Sequence, residues 1–97
     1  MDALDIVDHD PGTLSISSSA AQSPALEMGV YQISVDCDCR IRIGAVDPQT
    51  GLNTTKGIFF KKGRSDLFSV GHQYKIAVIA AAGATTGTLE YHWVGRR

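Results

Sequence analysis

The sequence predicts an all-β fold: a small, single-domain antiparallel β-sandwich of seven or eight short strands, jelly-roll or immunoglobulin-like in its connections. Three observations lead there. Large apolar residues recur at every second position through much of the chain, the spacing that gathers them on one face of an extended strand. No window of about a dozen residues carries the three-or-four spacing of an amphipathic helix. The alternating runs are short and close on turns rich in Gly, Pro or Asp. A partly closed barrel is the competing architecture.

The first element is residues 13–17, with Leu14 and Ile16 on one face and Thr13, Ser15 and Ser17 on the other, after the turn signal "DPG". The polar stretch "SSSAAQSP" then crosses to the next element. Over residues 31–43 the odd positions Tyr31, Ile33, Val35, Ile41 and Ile43 are large and apolar, while Gln32, Ser34, Arg40 and Arg42 lie between them. That run exceeds one ordinary strand. Folding it at Asp36-Cys37-Asp38 predicts a hairpin pairing Val35 with Cys39, Ile33 with Ile41 and Tyr31 with Ile43. A two-residue turn at Cys37-Asp38 would pair Ser34 with Ile41 and mix core with solvent residues.

The excursion "AVDPQTGLNTTKG" has the composition of a surface loop. Four further strands follow: "IFFKK", "DLFSV", "YKIAVIAAA" and "TGTLEYHWV". The third becomes apolar on both faces, which predicts a strand that is central or covered by another chain. In the last, Leu89, Tyr91 and Trp93 face one way and Thr88, Glu90 and His92 the other. One domain therefore spans residues 1–97, with an N-terminal arm plus first strand over 1–25 and the main sandwich over 26–94.

Bulk properties narrow the function classes. A chain of 97 residues buries roughly 60–70% of its unfolded surface, an adequate but small core. With 20% charged residues and a formal charge of −1 there is no sustained basic field, so direct nucleic-acid binding is not expected. The longest apolar stretch, residues 76–82, is far short of the roughly 20 that a membrane helix needs, and the N-terminus lacks the basic and apolar regions of a signal peptide. These features predict synthesis in the cytoplasm and no membrane. Two cysteines are too few for a disulfide scaffold.

The stretch "VDCDCRIRIG" is the one place that invites metal or redox chemistry. A structural zinc needs four convergent ligands, and only two thiols exist; His9, His72 or His92 would have to come from other strands. Residues two apart in an extended chain sit about 6.5–7 Å apart, at or beyond the usual separation for a disulfide. The expectation is a turn with two free thiols, Cys39 acting as a small hydrophobe while Asp36 and Asp38 shape the turn through their side-chain oxygens. In "DHDPG", Asp8, His9 and Asp10 point alternately to opposite sides and do not share an ion. No nucleophile elbow accompanies the serines, and "GATTG" lacks the lysine and helix of a phosphate loop, so it reads as a hairpin turn. Lys61, Lys62 and Arg64 beside Phe59 and Phe60 read as a solvated edge that deters sheet-to-sheet aggregation. No catalytic, cofactor-binding or metal-binding residues are predicted, and the protein is expected not to be an enzyme.

The order "LEMGVYQISVDCDCRIRIG", a variable loop, then "IFFKKGRSDLFSVGHQYKIAVIAAAGATTGTLEYHWV" resembles the small all-β virion accessory proteins of tailed bacteriophages, in particular capsid decoration (cement) proteins. The likeness covers about residues 26 to 94 and rests on the "GVY" strand, the acidic turn, the "IRxG" strand, the "KIAVI" strand and the terminal "TGTL" hairpin. It departs in the two cysteines of the acidic turn and in the N-terminal 25 residues. The resemblance implies a non-enzymatic structural subunit on the capsid exterior of the virion. Its partners would be the major capsid protein and copies of itself, as a homo-oligomer with a trimer favoured. Candidate contact residues, taken from apolar pattern, are Leu4, Ile6 and Val7 of the arm, the outward Ile79, and Phe59 on its strand. The alternative is a neck, tail or fibre-associated adaptor that binds the host surface. Glycan binding would need an exposed aromatic platform, and the alternation places Trp93 in the core.

Overall fold

The computed structural model describes residues 12–45, 47–48, 52–53, 56–83 and 86–95. Among them are eight strands: β1 (Gly12–Ile16), β2 (Ala21–Gln22), β3 (Gly29–Val35), β4 (Cys39–Gly44), β5 (Ile58–Phe60), β6 (Ser65–Val70), β7 (Lys75–Ala80) and β8 (Gly87–Gly95). They form two four-stranded sheets in the orders β1-β8-β3-β6 and β2-β7-β4-β5, here called sheets A and B. Every pairing is antiparallel. The chain changes sheet at every connection except β4 to β5. That strand order is the jelly roll, two interleaved Greek keys. An immunoglobulin arrangement would set the first two strands side by side, whereas β1 and β2 belong to different sheets.

Alternation builds the interior as expected. Tyr31, Ile33 and Val35 from β3, Leu89 and Trp93 from β8 and Ile16 from β1 meet Cys39, Ile41, Phe60, Ile76, Val78 and Ala80 of sheet B in one buried cluster. Ile33, Ile41, Phe60, Ile76 and Leu89 are wholly enclosed; burying such a side chain contributes about 1.5–3 kcal/mol each. Trp93 keeps only 4% of its surface exposed, so it lies in the core as the alternation requires.

The expected hairpin over residues 31–43 does not form. β3 lies in sheet A between β8 and β6, and β4 lies in sheet B between β7 and β5. Ile33 pairs with Tyr91 and Asp66, and Ile41 pairs with Val78 and Ile58. Residues 36–38 are an arch from one sheet to the other. The odd-numbered side chains do share one dry interior, but they face one another across it instead of sitting side by side on a ladder. "GATTG" is likewise no hairpin, since it joins β7 of sheet B to β8 of sheet A.

Two further features depart from expectation. The polar stretch after β1 contains β2, which pairs Ala21 with Val78 and Gln22 with Ala77. Ser23 continues that seam: its N–H donates to the Ile76 carbonyl at 2.8 Å, and its buried Oγ accepts from the Ile76 N–H at 2.9 Å. The β4–β5 excursion also does more than run over the surface. Its Leu52, 6% exposed, folds back onto the outer face of sheet B and covers Ala77 and Ile79. β7 is thus central in its sheet, and its second apolar face is covered by its own chain.

Candidate functional site

The three residues of the arch at 36–38 and Cys39, which opens β4, point in alternate directions. Cys37 and Cys39 point inward as free, buried thiols. Asp36 and Asp38 point to neighbouring backbone: Asp36 Oδ1 accepts from the Thr88 N–H at 2.6 Å, and Asp38 Oδ1 accepts from the Lys62 N–H at 2.7 Å. The carboxylates shape the turn, as their position predicts, by holding the start of β8 and the β5–β6 turn against it. Burial pushes the Cys39 thiol up to about 12, with Cys37, Asp38 and Asp36 adding to it. Burial also raises Cys37, helped by Asp36 and Asp38. A thiolate is disfavoured at both positions, which suits packing more than nucleophilic or ligand chemistry. Among the described residues no group of three or more His, Cys, Asp or Glu is placed to hold a metal ion.

The rim formed by β5 and β6 is the second candidate. Lys61, Lys62 and Arg64 are exposed there, as the edge reading expects. Arg64 does most of the work. Its guanidinium lies 4.3 Å over the Phe60 ring, donates to the Phe59 carbonyl at 3.2 Å and bonds the Asp66 carboxylate at 2.8 Å. The Arg64 bond and the Leu67 N–H together hold the Asp66 carboxyl below the usual carboxylate range. One side chain therefore plugs the free edge of β5, a device that hinders strand addition there.

The predicted contact residues separate into three groups. Leu4, Ile6 and Val7 lie outside the described residues, as does His9. Phe59 is 41% exposed and Ile58 beside it 49%, so the outer end of β5 does present apolar surface. Ile79 does not: it faces away from the main core, as its parity requires, yet only 6% of it is exposed because Leu52 covers it. As an open contact Ile79 is corrected. Register nonetheless puts the two in one row, Ile79 and Phe59 both lying opposite Arg40 on adjacent strands. The Arg40 guanidinium sits 5.2 Å over the Phe59 ring and donates to the Gly57 carbonyl at 3.3 Å. Sequence pattern singles out Phe59, which is exposed; it does not reveal Leu52, whose loop carries no periodicity.

The outer face of sheet A carries a shallow depression of about 310 Å³ lined by Thr13, Ser34, Val35, Asp36, Thr88 and Glu90. Its floor is the cross-strand row of Thr13, Glu90 and Ser34. Asp36 is already engaged by the Thr88 amide, so its carboxylate serves the fold first.

No protein-family model, no curated protein and no solved structure matches this chain.

Proposed function

We propose that this chain is a non-enzymatic structural subunit of a tailed-bacteriophage particle, a decoration protein that binds the major capsid protein lattice from outside and stabilises the head. The observation that carries the reading is a jelly roll, an architecture used by viral capsid domains, with apolar side chains exposed at its rim. Ile58 and Phe59 lie open at the end of β5, with Arg40 stacked on Phe59. An apolar rim beside a guanidinium suits a protein contact, where Arg and aromatic side chains are enriched. The arm bearing Leu4, Ile6 and Val7 supplies a second apolar segment for the lattice. Individually modest contacts become effective when many copies bind one shell.

The buried thiols and backbone-bound carboxylates of the arch fit a structural role, because their polar atoms hold strands together. The test adds purified protein to expanded capsids lacking it. Binding that saturates at a fixed copy number and raises the temperature of capsid disruption is expected. Failure to bind, together with equal heat resistance of bare and treated capsids, would overturn the proposal. Labelling at the neck or tail instead of the shell would favour the adaptor reading.

A further inference from the structure

Sheet A ends in a strand that pairs on one side only. β6 bonds to β3 and to no other described strand. The Val35 N–H donates to the Arg64 carbonyl at 3.2 Å. Hydrogen-bonded and non-hydrogen-bonded pairs alternate along an antiparallel ladder, so Asp66, Phe68 and Val70 direct their amides and carbonyls toward β3. Ser65, Leu67 and Ser69 direct theirs outward along the rim.

Two of the other rims are shorter, and the third, β1, is five residues long with no exposed large apolar side chain. β2 is two residues long, and β5 is three with its Phe59 carbonyl taken by Arg64. β6 runs six residues without a lysine or proline, and its one charge, Asp66, is paired with Arg64. At its centre Leu67 is 61% exposed, the most of any large apolar side chain among the described residues.

We propose that β6 is a self-association edge: two copies pair β6 with β6 antiparallel about a two-fold axis through Leu67, joining two four-stranded sheets into one of eight strands. Register accommodates a second copy as the occupant. Centred on Leu67, each Leu67 faces the partner's Leu67, and Ser65 faces the partner's Ser69. All three outward-facing residues then exchange amide and carbonyl bonds with their own counterparts, the self-complementarity that an isologous contact demands.

Charge agrees with this pairing. Arg64 and Asp66 neutralise one another within each copy at 2.8 Å, so the axis brings no net like charge together. The one outward amide with a bond already assigned is Leu67, whose N–H donates to its neighbour's Asp66 Oδ1 at 3.1 Å. That carboxylate is a placeholder: it rotates away as the partner's carbonyl arrives. A single strand pair buries less than the roughly 1,000 Å² of a stable interface. Association is therefore concentration-dependent in solution and is reinforced wherever copies are held close together. The inference stands apart from the proposed place in a virion.

Sedimentation velocity on the full chain, across a concentration series reaching the millimolar range, tests it. The expected result is a shift from monomer to dimer, abolished by Leu67→Lys, which sets two ammonium groups on the axis while leaving the circular dichroism spectrum unchanged. Leu67→Cys is expected to give a disulfide-linked dimer under mild oxidation, and Ser15→Cys on the opposite edge is not. A monomer at every concentration or a trimer would overturn the proposal. So would a dimer that tolerates Leu67→Lys and yields no Leu67→Cys cross-link.

Discussion

Asp36 and Thr88, 52 residues apart, are joined by a 2.6 Å bond from the Thr88 amide to the Asp36 carboxylate. It fastens the arch leaving β3 to the beginning of β8, the strand that pairs with β3 on its other side. Asp38 makes the corresponding bond to Lys62 at the opposite end of the arch. An arch between sheets has no ladder of its own, so carboxylates placed at its ends supply the acceptors that flanking amides need.

Replacing Asp36 with alanine removes a charged acceptor from a backbone amide and is expected to cost about 1–3 kcal/mol. Asp36→Asn keeps an acceptor oxygen and is expected to cost less. Urea denaturation monitored by Trp93 fluorescence measures both, with the midpoint falling and the slope unchanged.

Gly87 lies under the same bond. A Cβ there would collide with the Asp36 carboxylate and with Cys37 Sγ. Gly87→Ala is expected to destabilise by about 1–3 kcal/mol through overpacking. Because both changes act on one contact, the Asp36→Ala/Gly87→Ala double variant is expected to lose less than the sum of the two. Additive losses would show that Gly87 is constrained by something other than Asp36.

Alkaline pH should destabilise the protein through its buried thiols. In the unfolded chain the Cys39 thiol ionises near its ordinary 9.0, and in the folded protein near about 12. Between those values the unfolded state holds fewer protons than the native state, so stability falls as pH rises. It is fully present below about 9. Cys37, Tyr31 and Tyr91 are raised by burial and act in the same direction. Cys39→Ala is expected to flatten the decline in thermal midpoint over this window, and neither native thiol should react with a disulfide reagent at neutral pH until urea is added.

Leu52 gives a fourth prediction. Leu52→Ala should cost about 2 kcal/mol or more, the low end of the range for truncating a buried leucine. It should also increase binding of a hydrophobic dye, as Ala77 and Ile79 lose their cover. A dye signal equal to that of the parent would mean that other side chains close the same face.

Parity was fully legible in the sequence, and neighbourhood was not. Tyr31, Ile33, Val35, Cys39 and Ile41 could be assigned to one interior, because a period of two fixes which face a side chain takes. The same pattern is satisfied by a hairpin and by an arch, since both turn those residues toward one dry space. Choosing between them depends on what flanks β3, and its flanking strands come from residues 65–70 and 87–95, far along the chain. β2 escaped notice because two residues are too few to show alternation. Ile79 was assigned to the correct face but not recognised as covered, since burial by Leu52 is a tertiary event in a loop with no periodic signal. The free thiols of the turn and the exposure of Lys61, Lys62 and Arg64 needed only local chemistry, and both were readable.

The outermost strand of sheet A has one temporal implication. β1 is the first strand formed by the described chain, and its only partner is β8, the last. During translation this early strand must therefore wait, unpaired, until residues 87–95 have cleared the ribosome. Closing sheet A is consequently a late, long-range step, and folding is slow for the chain's size. A polypeptide cut before residue 87 would leave both β1 and β3 with exposed edges, making aggregation its expected fate.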